Sequence, residues 1–456
     1  MHQNEDQLNS KKPAIAPGGY REVWMLGYPV VITMMSRTVM MFVDTAMVGR
    51  LGAVELAAVG FAGLLTWTLF SFFNGLLFSI NTFVAQRYGS EDRHGVAVAT
   101  WQGLYLALGS YLVVLLLSRV AGFLFAVMNP SDEVQRLGGI YAQIRLYGGI
   151  NLFISFGVGG FLRGIGDTQT PMWIELVANI INIVLDYVLI FGHFGFPRLE
   201  VAGAAIATVI AGTVAAIGYL AVFLSRKSDQ AFKTRSNFQI NFSELRRILR
   251  IGAPMGVQSF LDLLSFTVFT AFIGQMSDVA LAANTAVITL ISTVFMPLHG
   301  ISRAATTLVG QYIGSNQLYY ARKSGYTTIK MGVAYSLVAA IVFFTVPEWL
   351  FSLVTLDAEV VRIGKFILYF AAIFQIADAF GICSVGALEG AGDTLFTMWV
   401  GIGYAWLLFL PLAYGIGVVL DYGVVGAWGG ATVYIIILGL TYFLRFRGNR
   451  WERMQI

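Results

Sequence analysis

Four aspartates sit inside runs of residues that otherwise avoid water. Asp44 closes Val39-Met-Met-Phe-Val43, and Asp186 lies within Ile180-Ile-Asn-Ile-Val-Leu-Asp-Tyr-Val-Leu-Ile190. Asp262 lies in Phe260-Leu-Asp-Leu-Leu264, and Asp378 in Phe374-Gln-Ile-Ala-Asp-Ala-Phe380. A carboxylate inside a membrane helix costs on the order of a few kcal/mol, so each is a functional candidate by default. Its chemistry there is reversible binding of a proton or of a hard cation such as Na⁺, which prefers oxygen ligands. Asn179, Asn182 and Asp186 follow a three-then-four spacing and share one helix face. At 1.5 Å per residue, Asp44 lies roughly 30 Å and Asp186 roughly 22 Å along their helices. Both fall in the outer half of a bilayer, and with the two amides they make an oxygen-rich patch. The plainer alternative is that Asp44 ends its helix at the interface while the amides bond neighbouring helices. For Asp262 and Asp378 the alternatives are a mutual buried hydrogen bond or an Asp–Arg pair.

The elements that must position these acids are readable from composition. Hydrophobic residues make up 57% of the 456 and charged residues 12%, which suits a chain whose solvent is lipid. Apolar segments of spanning length fall near 22–47, 54–79, 94–118, 133–160, 169–195 and 200–225. Six more fall near 246–272, 279–305, 322–345, 358–386, 395–417 and 422–446. The runs are continuously apolar rather than alternating, so helices and not a barrel are expected. The fold class is therefore an all-α polytopic membrane protein of twelve transmembrane helices in two six-helix lobes. The expected organisation is a cytoplasmic tail 1–21, a lobe 22–225, a cytoplasmic linker 226–245, a second lobe 246–446 and a tail 447–456. Basic residues set the orientation. One side collects Lys11, Lys12, Arg87, Arg93, Arg226, Lys227 and Arg445, and Arg163 and Arg303 are counted there as loop or end residues. The other side holds only Arg50, Arg119, Arg136, Arg198, Arg362 and Lys365. Both termini are thus expected in the cytoplasm.

The two lobes are repeats. Gly160-Phe-Leu-Arg-Gly-Ile-Gly-Asp-Thr168 recurs as Gly386-Ala-Leu-Glu-Gly-Ala-Gly-Asp-Thr394, and Val84-Ala-Gln86 with Gly89-Ser90 recurs as Val309-Gly-Gln311 with Gly314-Ser315. Doubled hydrophobic chains are characteristic of transporters, whose substrate path lies between the repeats. The acids are not repeated: Asp44 corresponds to Phe269 and Asp186 to Leu412, while Asp262 corresponds to Arg37 and Asp378 to Leu152. No Walker A, His-Glu-x-x-His or Gly-x-Ser-x-Gly pattern occurs, so no enzymatic machinery is visible. The lone Cys383 excludes a disulfide framework, and the net charge of +4 calls for no nucleic-acid partner. Arg37 and Arg145 fall inside helices with no role assigned, Glu175 reads as interfacial, and His2, His94, His193 and His299 read as end or loop residues. The in-membrane charges thus read as mostly acidic.

At Pro29, at Asp44-Thr-Ala-Met-Val-Gly-Arg-Leu-Gly52 and at both Gly-Asp-Thr stretches, the chain resembles the multidrug and toxic compound extrusion (MATE) transporters of NorM type. It resembles more distantly the lipid-linked oligosaccharide and polysaccharide flippases of the same superfamily. The resemblance implies two lobes facing each other as a V, in a bacterial-type cytoplasmic (inner) membrane. It implies antiport by alternating access: export of organic, mostly cationic compounds, drugs among them, in exchange for Na⁺ or H⁺. No cofactor beyond that ion, no partner beyond small organic cations and lipid, and a monomer are expected. Asp44 matches the family's acid on the first helix, and Asn182 and Asp186 match the Asn and Asp that complete a possible Na⁺ site in the N-terminal lobe. Tyr141 and Thr208 are further N-lobe ligands on this reading. Asp378 matches the acid on the tenth helix, and Asp262 stands where NorM-type members carry Glu, with a shorter reach. A lipid flippase remains the alternative function.

Overall fold

The computed structural model describes residues 16–127, 131–355 and 357–454, with backbone only over 119–127. Most of the polar 1–21 tail, including Lys11 and Lys12, lies outside the described residues, as do the Arg119 side chain and the last two residues of the chain. The N-terminal lobe comprises α1 (Tyr20–Gly49), α2 (Ala53–Gly89), α3 (Arg93–Val127), α4 (Asp132–Tyr147), α5 (Gly149–Gly164), α6 (Gln169–Phe191) and α7 (Glu200–Phe223). A short α8 (Arg226–Phe232) leads to the C-terminal lobe: α9 (Phe242–Gly274), α10 (Asp278–Gly314), α11 (Leu318–Thr345), α12 (Pro347–Ser352), α13 (Ala358–Ala391), α14 (Thr394–Tyr404), α15 (Leu410–Tyr414) and α16 (Gly423–Arg447). Eleven spans pass by length and apolarity, and α4 with α5 supplies a twelfth. Large apolar side chains such as Leu116, Trp173, Ile180 and Leu407 are left exposed, as lipid-facing surface requires.

Two of the expected spans are not straight α-helices. The run 133–160 is not one straight helix, because α4 and α5 meet at an angle of 42°. The break falls at Gly148-Gly149, where a Cβ on Gly148 would overlap Val209 of α7. The eleventh span, Thr394–Val419, is interrupted by π turns at Ala405–Phe409 and Gly415–Val419 on either side of Pro411, which has no N–H to donate. The polar connection after α7 is held against α3. Trp101 Nε1 donates to Thr234 O at 2.7 Å, Gln102 Nε2 to Gln239 O at 3.0 Å, and Tyr105 Oη to Phe238 O.

The repeat is visible in atomic detail at the two Gly-Asp-Thr stretches. Gly166 and Gly392 both hold φ +88°, a left-handed conformation that favours glycine. Asp167 N donates to Leu162 O and Asp393 N to Leu388 O, each at 2.9 Å, which ends α5 and α13 with the same reverse turn. The last carbonyls of a helix have no partner within it. Here the opposite lobe supplies partners. Gln86 Nε2 donates to Gly390 O at 3.0 Å and Thr82 Oγ1 to Glu389 O at 3.0 Å. Gln311 Nε2 donates to Gly164 O at 2.8 Å and Thr307 Oγ1 to Arg163 O at 3.2 Å. These four bonds are two pairs related by the repeat. Gly89 and Gly314 make the approach possible, since a Cβ on either would collide with the backbone of Gln311 or Gln86 respectively.

Among the described residues, the hydrogen bonds between the two lobes all lie toward the end of the molecule that carries the chain termini. Arg87 of α2 pairs there with Glu244 of α9, and Tyr312 Oη donates to Glu22 at 2.7 Å. The lobes are closed at that end. Gln311→Leu leaves the Gly164 carbonyl without its partner, at a cost of about 1–3 kcal/mol. The expected result is a lower melting midpoint in detergent, read by tryptophan fluorescence; an unchanged midpoint would mean that these bonds do not hold the seam.

Candidate functional site

The N-lobe cluster is built from α1, α4, α6 and α7, with its two acids on α1 and α6. Asp186 and Asn182 of α6 are fully buried, Tyr141 of α4 nearly so, and Asp44 of α1 is partly exposed. Asp44, Asp186 and Tyr141 lie within electrostatic reach of one another, with Arg145 of α4 also acting on Asp44. With the Asn182 amide oriented to suit its neighbours, Nδ2 donates to Asp186 Oδ2 at 3.2 Å and Oδ1 accepts from Thr208 N at 3.2 Å. Thr208 therefore joins through its backbone, because its hydroxyl donates to Ala204 O at 2.9 Å. Asn179 turns to α1, donating from Nδ2 to Ser36 Oγ at 2.9 Å.

Two carboxylate oxygens in this cluster, Asp44 Oδ1 and Asp186 Oδ1, are buried with no hydrogen-bond partner among the described residues. Such atoms are costly unless something fills the gap. A proton or a hard cation does so, and the surrounding donors are all oxygen or amide. Among the described residues no group of three or more His, Cys, Asp or Glu side chains converges as a transition-metal site would require.

The cluster borders a cavity of about 300 Å³ lined by α1, α2, α4 to α7 and one residue of α10. Asn179, Asn182 and Thr208 face it, while Asp44 and Asp186 stand behind that wall. Its charged lining residues are Arg37, Arg145, Arg163, Arg303 and Glu175. The expectation of mostly acidic in-membrane charge therefore fails for this cavity. Arg163 and Arg303, read from the sequence as loop or end residues, are inside the protein. Arg303 is eleven residues from the end of α10, and Arg163 in the last turn of α5 points inward. Both guanidiniums lie over the Phe78 ring, at 3.6 Å for Arg303 and 5.5 Å for Arg163. Glu175 is not interfacial either, for it accepts from Tyr219 Oη at 3.0 Å. Arg37 lies over the Trp67 ring at 5.1 Å.

In the C-terminal lobe, Asp262 and Asp378 line a second cavity of about 230 Å³ together with Gln258, His299, Glu389 and Arg303. They do not bond each other, and neither pairs with arginine: Arg303 pairs with Glu389 at 2.9 Å. Gln258 lies beside Asp262 and donates to Tyr442 Oη at 3.5 Å, whereas Asp378 Oδ2 and both amide atoms of Gln375 one turn away are buried without partners among the described residues. His299 lies in the interior of α10 and faces both acids' cavity, not at an end as read from the sequence. The helix continues through Pro297, two residues earlier. A helical-wheel count from Asp262 and Asp378 could not have found His299, because it sits on a third helix.

Comparison with known proteins agrees with this architecture. The MatE family model matches residues 29–188 and again 254–415, once per lobe. A probable multidrug resistance protein NorM of Bacillus cereus is 30% identical over 429 residues, covering 92% of each chain. A solved structure described as the outward-facing conformation of a multidrug resistance MATE family transporter of the MOP superfamily superposes with a TM-score of 0.88 at 22% identity, over 96% of this chain and 97% of that one. A MOP superfamily transporter from Pyrococcus furiosus, whose binding pocket is described as of reverse polarity, gives 0.83 at 22% identity over 94% and 95%. This chain belongs to the MATE family: a polytopic all-α membrane protein that carries out secondary transport of small organic molecules and is not an enzyme.

Proposed function

We propose that the chain is an antiporter that exports organic, mostly cationic compounds in exchange for Na⁺ or H⁺. The observation that carries this reading is the pair of orphaned oxygens on Asp44 and Asp186, buried beside a ligand-sized cavity. Asp44, Asn182 and Asp186 bind the coupling ion, with Tyr141, Asn179 and Thr208 holding the helices around it. Asp262 and Asp378 form a second acidic site in the other lobe. The lobes, 22–225 and 246–446, rock about the connection 226–245, with both termini in the cytoplasm of a bacterial-type inner membrane and the protein acting as a monomer.

On this reading the seam at the terminus-bearing end is the inner gate in its closed state, so the cavities are offered to the outside. An ion from outside then satisfies the orphaned carboxylate oxygens, lowers affinity for the cationic substrate and favours the inward-open state. Coupling requires that the ion bind the two states with different affinity. The lipid-flippase reading draws on one observation, the four arginines of the N-lobe cavity, which suit a phosphate.

Efflux of a cationic dye from proteoliposomes is the direct test, with a Na⁺ gradient and a ΔpH imposed separately. Efflux under one gradient supports antiport and identifies the ion; transport of a polyprenyl-phosphate lipid with no dye efflux under either would establish the flippase. Asp44→Asn is expected to abolish dye efflux while leaving the amount of folded protein in the membrane unchanged. Retained efflux by that variant would remove Asp44 from the coupling role. Asn182→Val strips the partner from Asp186 Oδ2 and is expected to destabilise by about 1–3 kcal/mol. A melting curve that does not move would show that the amide does not support the cluster.

A further inference from the structure

The N-lobe cavity carries charge of the wrong sign for a substrate that is only a cation. Four guanidiniums line it against one carboxylate, Glu175, whose oxygen is already engaged by Tyr219. Arg303 is neutralised by Glu389. Arg37, Arg145 and Arg163 form no ion pair with a carboxylate among the described residues. The Nε atoms of Arg145 and Arg163 are buried without a hydrogen-bond partner. Asp44 and Glu175 offset part of this charge from a distance, and the Trp67 and Phe78 rings offset some more. Neither supplies the in-plane acceptors that a guanidinium fork requires.

We propose that Arg37 and Arg145, which line the cavity within electrostatic reach of each other, form a subsite for an anionic group of the transported molecule, so that the preferred substrates are zwitterions carrying a carboxylate. The apolar part of the wall, including Met34, Phe70 and Phe156, receives the body of the compound. The second cavity adjoins the first through Arg303, which lines both, and there Asp262 and Asp378 take the cationic end. Glu389 balances the charge of Arg303 at the junction of the two cavities. This deepens the antiport reading and rests on it for the direction of transport, though not for binding.

The test uses two dyes with the same cation. Rhodamine B carries a free carboxylate at neutral pH, and rhodamine B ethyl ester does not. Binding to the purified protein in detergent, read by fluorescence anisotropy, needs no ion gradient. A charge-assisted bidentate contact is worth enough to favour the zwitterion by about tenfold or more in Kd. Arg145→Gln and Arg37→Gln are expected to bring the ratio of the two affinities close to one, and the matching Arg→Lys variants to restore part of it. Equal affinity of the wild type for both dyes would overturn the subsite, as would a preference that survives both Gln variants. Displacement of both dyes by a polyprenyl-diphosphate lipid, with neither dye transported, would overturn it in favour of a lipid cargo. A clear preference for the zwitterion without efflux under either gradient would support the subsite and remove antiport alone.

Discussion

Two helices end inside this protein where water is scarce, and their last carbonyls must still be paired. Backbone groups left unsatisfied in a membrane interior cost several kcal/mol each. The reverse turns at Gly166 and Gly392 pair only part of the last turns of α5 and α13. Gln86, Thr82, Gln311 and Thr307 provide for the rest from the opposite lobe. That requirement fixes how α2 sits on α13 and how α10 sits on α5. It also explains why Gly89 and Gly314 have no side chain, since the glutamines reach the carbonyls only if the two backbones touch. The positions of both cavities follow, because each is bounded on one side by this seam.

Much of this was legible in the sequence. The doubled Gly-Asp-Thr and Gln-x-x-Gly-Ser stretches marked the repeat, and in the structure the two kinds of stretch pair with each other across the seam. The acids were found because an apolar run makes a carboxylate conspicuous. Arg163 and Arg303 were not, since an arginine near a helix end looks like one that reaches water. What distinguishes them is the direction of the side chain, set by packing against Phe78, and a one-dimensional hydropathy profile carries no such direction. Glu175 was misread for the same reason. The bend at Gly148 was missed because a glycine pair in an apolar run looks like any close-packing site until Val209 is seen opposite.

The seam preserves the backbone of the duplication while its charged side chains have diverged. Arg163 and Glu389 occupy equivalent places in the repeat, and so do Phe78 and Arg303. All four meet at the junction of the two cavities: Arg303 pairs with Glu389 and covers Phe78, and Arg163 covers the same ring from the other lobe. A symmetric pair of lobes would present one polarity twice. Substitution at these related positions leaves the N-terminal side rich in guanidinium and the C-terminal side rich in carboxylate, at no cost to the backbone contacts that hold the seam.

The nature of the seam also bears on how small a signal can open it. Its four symmetric hydrogen bonds join neutral side chains to backbone carbonyls, and on opening they exchange these partners for water. Each is then worth about 0.5–1.5 kcal/mol net, or roughly 2–6 kcal/mol together. Driving a two-state equilibrium from one side to the other takes about 5.5 kcal/mol of differential binding. The two quantities are of the same order, so on the antiport reading ion binding has the size needed to compete with these four bonds. Had the lobes been joined there by several buried ion pairs, each would cost about 3–5 kcal/mol to break with a charge left behind. One such pair, Arg87 with Glu244, does cross between the lobes beside these bonds, whereas Arg303 with Glu389 lies within one lobe, so opening the seam must separate an ion pair as well as the four carbonyl contacts.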